Sequence, residues 1–281
     1  MTRRERLIAM RGISIPTTIV RRFFQIDGIR KAMLMGFNLF ISIIPLIIIL
    51  FAFVSRYRTN ISLAQVFIEN FRLKGEAAAI VRGALPSTRN VMKVASAIAI
   101  VSFAISGFDV ASVFQRTFAD AWNTKRLTGW RGPLRGAVWF VLVFATFAFS
   151  QMLQRGPAKF GIWTWFVTVP IIATMNYWFW IVTPRLLLDK KLDHADLKVG
   201  ALWGTFGSTV LWVLSWILLP GWFSWYGRGF GGVGIALAIL SWTYVVSIVW
   251  VIIVVIAAVS WEHSATIDEV EDVADLDHLH T

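Results

Sequence analysis

The sequence predicts an all-α integral membrane protein with six transmembrane helices. Of its 281 residues 57% are hydrophobic and 15% are charged, whereas soluble domains are about half apolar and about a quarter charged. The apolar residues form runs close to the ~20 residues that cross a ~30 Å hydrocarbon core as a helix. Backbone groups in lipid must pair within the chain, so such runs are expected to be helical. Stretches 43–53 and 248–259 lack the alternation of polar and apolar residues that a β-barrel needs.

The N-terminal segment 1–31 is basic, with eight Lys and Arg residues and no small-residue cleavage site behind it. We therefore expect it to stay in the cytoplasm, with residues 17–26 forming a short helix at the membrane surface. The first span follows at 32–54. The segment 55–92 is polar enough to leave the membrane, and we expect amphipathic helices in this external loop.

The second span is predicted at 94–114, inside a helix that starts near Val91 and continues to Trp122. Its second half is more polar, and Arg116 lies four residues before Asp120. Side chains at this spacing share one face of a helix, so these two can form an ion pair.

The remaining spans are bounded by turn-forming pairs of residues. We place them at 134–153, 160–182, 199–219 and 233–261. Turn-forming residues follow the third, fourth and fifth of the six spans at Gly156-Pro157, Pro184-Arg185 and Pro220-Gly221. We expect Pro220 to end the fifth span, because proline cannot continue the hydrogen-bond ladder of a helix. The segment 262–281 has seven acids and no Lys or Arg, which predicts a disordered acidic tail.

The basic residues predict the orientation of the chain. With the N-terminus inside, the segments facing the cytoplasm hold 17 Lys and Arg residues and the outer segments hold ten, seven of them in the long loop. Positive residues concentrate on the cytoplasmic side of membrane proteins, so both termini are expected to be cytoplasmic. The net charge of +11 is therefore assigned to lipid head groups rather than to nucleic acid.

Polar residues within apolar spans are costly and often mark a functional pathway. The candidates for a substrate pathway are Asn38, Ser42, Pro45, Asp109, Gln151 and Asn176. The alternative for each is structural: a hydrogen bond between helices, a proline kink or, for Asp109, hydration at the end of the span. The candidates for binding lipid head groups are Arg126, Arg131 and Arg185, whose alternative is simple snorkelling to the membrane surface.

The sequence gives no sign of an enzyme. It contains no cysteine, so disulfides, thiolate nucleophiles and cysteine-based metal sites are excluded. Its four histidines lie outside the predicted spans, and we find no pairing of a nucleophile with a base. No cofactor and no metal site is predicted. The expected partners are membrane lipids, and a homo-oligomer is allowed.

Groups of residues in the same order carry a resemblance to a known family. In the first span Ser42, Pro45 and Leu46 match the pattern Phe-Tyr-x-x-x-Ser-x-x-Pro-Leu, with Asn38 replacing the aromatic residue. Further matches are Ser106-Gly107, Ala121-Trp122-Asn123, Arg126, Trp130, Arg131, Val199-Gly200-Ala201, Trp225-Tyr226-Gly227, Trp242 and Tyr244. Over about residues 15–262 the chain resembles the YihY/virulence factor BrkB family of bacterial inner-membrane proteins. Its basic N-terminus is similar to the branch found in high-GC Gram-positive bacteria.

One part of the family pattern is missing. Many members carry a Gly-Ala-Glu element late in the sixth span, which should fall near 253–255 and is absent here. Any role of that glutamate is lost or moved to another acid, with Glu262 as the candidate. The older family label, ribonuclease BN, finds no support, because the sequence has no metal cluster and no soluble domain to hold RNA.

The resemblance implies a role in the bacterial envelope. The function expected from it is that of a transporter or flippase-like protein for an envelope lipid or another amphiphile in the inner (cytoplasmic) membrane. The alternative is a scaffold that organises an envelope complex without transport. The two differ in whether polar residues inside the spans are needed for activity.

Overall fold

The computed structural model describes residues 15–57, 65, 68, 74–84, 92–127, 129–154, 161–189 and 192–278, and within these ranges it contains helices and no strand. The first helix, α1, covers 15–25, close to the predicted 17–26. The others are α2 (Gly28–Tyr57), α3 (Gly75–Ala84), α4 (Met92–Ala121), α5 (Arg131–Leu153), α6 (Trp165–Leu187) and α7 (His194–His278). A short 3-10 turn, Ile162–Thr164, precedes α6.

Within the described residues, four helical stretches are long and apolar enough to cross a membrane. They are Ile98–Ala121, Arg131–Leu153, Trp165–Leu187 and Asp196–His263. The first three overlap the predicted second, third and fourth spans, with ends that differ by up to seven residues. Helix α2 contains the predicted first span with Pro45 inside it. The fold is therefore all-α and of a kind that a membrane accommodates.

The longest helix, α7, is divided by Gly231. A straight helix over the 68 residues of Asp196–His263 would be about 100 Å long, more than three times the hydrocarbon thickness. Gly231 has φ 58° and ψ −134°, a backbone conformation that glycine adopts without a Cβ clash. A Cβ on Gly234 would lie 1.9 Å from the carbonyl oxygen of Tyr226, so the chain turns back on itself here. We call 194–230 the first arm and 232–278 the second arm.

The helix that contains the predicted fifth span does not end at Pro220, where the sequence predicted its end. The first arm continues through Pro220 and Gly221, and the turn comes at Gly231 instead. A proline within a helix removes a single backbone hydrogen bond, whereas ending the helix would free several backbone groups in an apolar environment. Glycine at position 231 supplies the positive φ that a reversal of direction needs.

The second arm also extends beyond the predicted start of the tail. Helical backbone continues to His278, where the sequence predicted a disordered segment from residue 262 onward. No Pro or Gly follows Gly234 in the sequence, so no residue breaks the helix as it leaves the apolar region.

The chain divides into two compact units. Unit 1 comprises Met1–Lys31, Ser112–Ser208 and Ile248–Thr281, and unit 2 comprises Ala32–Ala111 and Thr209–Ser247. Helices α2, α4 and α7 contribute residues to both.

The interior of unit 1 is aromatic. Phe114 contacts Trp139 with ring centroids 4.6 Å apart and Trp250 at 5.5 Å. The fully buried Trp139 donates its indole N–H to the Thr183 hydroxyl at 3.3 Å. Small residues allow close packing beside these rings: a Cβ on Gly204 would lie 2.3 Å from the Trp180 ring.

Unit 2 is built around the turn of α7. The two arms pack their apolar faces together, and α3 covers them with its own buried face. The shared core contains Ala78, Val81, Leu219, Phe223, Ile235 and Ala238. Trp222 of the first arm contacts Trp242 of the second, although 20 residues separate them, because the arms are antiparallel. Gly36 of α2 packs against the backbone of Tyr244.

The predicted external loop 55–92 is described only in part. Helix α3 lies within it and buries Ala78 and Val81 while leaving Glu76 and Arg82 exposed, as an amphipathic helix does. The amphipathic stretch predicted at 61–73 lies outside the described residues except for Gln65 and Ile68, which are both helical.

Candidate functional site

The predicted pathway residues of α2 lie in unit 2. Ser42 is buried, and its hydroxyl donates to the backbone carbonyl of Asn38 at 2.7 Å. Pro45 is buried one turn further along the helix. The Asn38 side chain is half-buried. The Ser42 hydroxyl is therefore paired within its own helix. Pro45, one turn later, has no backbone N–H and so leaves one backbone carbonyl of the helix without its usual donor.

Asp109 is the predicted pathway residue with the most unusual position. It lies halfway along the apolar stretch Ile98–Ala121, on the exposed side of α4. Its neighbours on that side include Ile105 and Phe108, which are 61% and 40% exposed. Its carboxylate forms no hydrogen bond or ion pair with the described side chains. A charged group in the middle of a bilayer costs about 2.5–3.5 kcal/mol on insertion scales, so a carboxylate halfway along a spanning helix would need a polar neighbour.

The remaining pathway candidates belong to unit 1. Asn176 is half-buried and its amide donates to the carbonyl oxygen of Ile172, one turn earlier in α6, at 3.0 Å. Gln151 is half-buried near the end of α5. No hydrogen bond joins these two residues in the described part of the chain. The structure thus brings Asn38 and Ser42 together and leaves the other candidates on separate turns or helices.

The three arginines predicted to bind head groups are all exposed and all in unit 1. Arg126 contacts Asp120 with both carboxylate oxygens 3.3–3.4 Å away. The Nε of Arg185 donates to the backbone carbonyl of Leu192 at 3.3 Å. Arg131 is the first residue of α5. All three side chains are exposed, so an anion at the protein surface can reach them.

A charged cluster that the sequence did not reveal lies where α2 begins and α4 ends. The Lys31 ammonium contacts the Asp120 carboxylate at 2.5 Å, and Arg126 approaches the same carboxylate from the loop. The pair that helical spacing allows between Arg116 and Asp120 is not formed: Asp120 pairs with these two cations instead, and Arg116 is exposed. Lys31 lies 89 residues before Asp120, so no sequence spacing indicates this pair. The only partner of Asp120 that sequence spacing suggested was Arg116, one helical turn away.

The turn after α4 has a well-defined hydrogen-bond pattern. Asn123 has φ +48°, and the next residue, Thr124, donates its backbone N–H to the carbonyl of Ala119 at 2.9 Å. This is the Schellman motif, in which a residue with left-handed backbone ends the helix, and asparagine tolerates that conformation better than most residues. The motif fixes Trp122, Thr124 and Arg126 on one short turn.

Two polar side-chain atoms of that turn are buried without a partner. They are the indole Nε1 of Trp122 and the hydroxyl oxygen of Thr124. Trp122 itself is 3% exposed and stacks on Phe118, with ring centroids 5.1 Å apart. A buried donor left unpaired costs about 1–3 kcal/mol, so unpaired atoms of this kind often mark a place where a ligand or water binds.

A second ion pair lies in unit 1. Arg22 of α1 contacts Glu262 of the second arm, and the pair is partly buried. It joins residues 240 positions apart, so the sequence offered no spacing signal for it. Glu262, the acid proposed above to replace the missing family glutamate, is thus a partner of the N-terminal helix.

The described residues contain no group of three side chains that could hold a metal ion. Comparisons with protein families, with curated proteins and with solved structures found nothing that matches this chain. The geometry of the residues themselves therefore carries any assignment of function.

Proposed function

We propose that the chain is a transporter or flippase-like protein of the bacterial cytoplasmic membrane that moves an envelope lipid or another amphiphile. In this proposal it crosses the membrane six times with both termini in the cytoplasm, is not an enzyme, and belongs with the YihY/BrkB family that it resembles. A homo-oligomer is compatible with the proposal.

The observation that carries the proposal is the exposed carboxylate of Asp109. It lies midway along an apolar helix and has no partner among the described side chains. Ionisable residues at such depth usually line a polar route, because pure hydrocarbon would penalise their charge. An amphiphile that crosses a bilayer needs a route of this kind for its head group.

The six-span arrangement is supported by helix lengths. Three helices, α4 to α6, each contain one apolar stretch of span length. Helix α2 has 30 residues, about 45 Å of helix. The turn at Gly231 divides α7 into two antiparallel arms, each longer than the ~20 residues that a span needs. Together these elements are long enough for the six crossings that we propose.

The topology can be tested with single cysteines, because the chain has none of its own. Lys125→Cys changes an exposed residue that the proposal places in the cytoplasm, and Gly229→Cys changes an exposed residue that it places outside. In intact cells an impermeant maleimide should label only the cysteine at 229. Labelling at 125 alone would invert the topology, and equal labelling of both would refute six crossings.

Transport can be tested in proteoliposomes by following the transbilayer movement of a fluorescent anionic phospholipid. Asp109→Leu should reduce the rate about tenfold or more, since it removes the only charge proposed for the route. Ile105→Leu changes another exposed residue one turn away and is the matched control. An unchanged rate in Asp109→Leu would refute the proposed route.

A non-transporting scaffold is the second candidate, and a specific observation favours it. Ser42 and Asn176, two of the predicted pathway residues, each donate a hydrogen bond to a backbone carbonyl of their own helix, as structural residues do. A scaffold predicts that polar-to-apolar changes inside the spans leave function intact and that stoichiometric protein partners co-purify. Loss of lipid movement in Asp109→Leu, with folding preserved, would exclude it.

A further inference from the structure

We propose that the turn after α4 binds the phosphate group of an anionic membrane lipid, using the residues Lys31, Asp120, Trp122, Thr124 and Arg126, which we call the turn cluster. This inference rests on the proposed function in taking the ligand from the membrane, and it names the class of head group. All five residues belong to unit 1.

The charges of the turn cluster do not cancel. Two cations, Lys31 and Arg126, share the single carboxylate of Asp120, which leaves a net charge of +1. Lys31 is only 14% exposed, so little water is available to solvate its ammonium. A second anion would complete the pairing of these cations.

The unpaired atoms of the turn cluster point to the same kind of ligand. The indole N–H of Trp122 is only a donor, so an acceptor is the one partner that satisfies it. The Thr124 hydroxyl can donate as well, and the ammonium and guanidinium groups carry further N–H groups. Phosphate offers several acceptor oxygens and negative charge, whereas a sugar or an amine would bring donors that find few acceptors here.

The position along the helix favours a lipid over free phosphate. The turn cluster begins at the end of the apolar stretch Ile98–Ala121, where a crossing helix reaches the head-group layer. Trp130, in the same loop, is 73% exposed, and exposed tryptophans are typical of that layer. A diacyl lipid can place its phosphate at this level while its chains stay beside the apolar helices.

Asp120 gives the site an internal competitor. Its carboxylate occupies both cations when no ligand is bound, so an incoming phosphate must share or replace it. Removal of this carboxylate should therefore strengthen phosphate binding. If the turn cluster had only a structural role, the same change would destabilise it and would not strengthen binding.

The experiment is a titration of the full-length protein, in a neutral maltoside detergent, with dioctanoyl phosphatidic acid. Dioctanoylglycerol, which lacks the phosphate, and inorganic phosphate, which lacks the chains, are titrated in parallel. Arg126→Gln should weaken phosphatidic acid binding about tenfold or more. Trp122→Phe keeps the stacking on Phe118 but removes the donor, and should weaken binding severalfold. Trp130→Phe is the matched control and should leave binding unchanged.

Asp120→Asn should tighten phosphatidic acid binding severalfold. Equal binding of phosphatidic acid and dioctanoylglycerol would overturn the phosphate site, and equal binding of phosphatidic acid and inorganic phosphate would overturn the lipid as its source. Weaker binding in Asp120→Asn, or no change in both Arg126→Gln and Trp122→Phe, would also refute the proposal. Because the titration measures binding alone, normal binding with no lipid movement in proteoliposomes would contradict only the proposed transport.

Discussion

The two units of the chain are stabilised by different kinds of contact. In unit 1 ion pairs such as Lys31–Asp120 and Arg22–Glu262 join segments that are far apart in sequence. All ion pairs between described side chains lie in this unit. Unit 2 depends on apolar packing, with Gly36 and Gly234 in close contact with neighbouring backbone. The ion pairs between distant segments are thus concentrated in unit 1, while unit 2 contains a tightly packed hairpin.

The largest effect is expected in unit 2, from Gly234→Ala. The new Cβ would lie 1.9 Å from the carbonyl oxygen of Tyr226, so the turn of α7 would have to open. We expect a loss of about 3 kcal/mol or more in the free energy of unfolding and a low yield of folded protein. Gly232→Ala, where a Cβ would meet open space, is the control. Equal thermal stability of the two variants in detergent would contradict this packing.

The next effect is expected at the turn cluster of unit 1, from Asp120→Asn. The change leaves Lys31 as a largely buried cation without its partner, which we expect to cost about 2 kcal/mol because both groups keep some contact with solvent. Dodecyl sulfate unfolding measures this loss, and saturating phosphatidic acid should restore part of it. Stability equal to that of the unchanged protein would show that the Lys31–Asp120 pair contributes nothing.

A smaller effect is expected in the aromatic interior of unit 1. Thr183→Val removes the hydroxyl that accepts the Trp139 indole N–H and should cost about 1–2 kcal/mol, because that donor is fully buried. Thr183→Ser keeps the hydroxyl and is the control. Thermal unfolding followed by tryptophan fluorescence measures both, and similar midpoints would show that the hydrogen bond is unimportant.

The smallest effect is expected from Arg22→Gln. The Arg22–Glu262 pair is only partly buried, so its loss should cost about 0.5–1 kcal/mol. Arg21→Gln changes the neighbouring exposed arginine and controls for net charge. Limited proteolysis near the N-terminus should be faster only in Arg22→Gln. Equal cleavage rates in the two variants would show that this pair does not hold α1 in place.

Much of the fold was predictable from the sequence because long apolar runs leave the chain one conformation in lipid. Helices α2, α4, α5 and α6 lie within a few residues of their predicted positions. The helix that was expected to end at Pro220 continues through it, and the chain reverses at Gly231, where φ is positive. Glycines cluster at this point of the sequence, at 227, 229, 231, 232 and 234, but the cluster does not show which of them takes the positive φ of the turn.

The candidate site was less predictable. Arg126 was identified from its position in a predicted inner loop, and the structure places it in the turn cluster. Lys31 and Asp120 meet only through the fold, so sequence spacing gave Asp120 the wrong partner. The unpaired indole of Trp122 could not be found from sequence, since burial and missing partners are properties of the folded chain.

The most direct test is to identify the lipids that remain with the protein. The full chain would be extracted into nanodiscs of its native membrane and its lipids compared by mass spectrometry with those of an Asp109→Leu/Arg126→Gln double variant. Enrichment of one phosphate-bearing lipid over the bulk membrane, lost in the variant, is the expected result. Bulk lipid composition in both samples would contradict lipid handling by this protein.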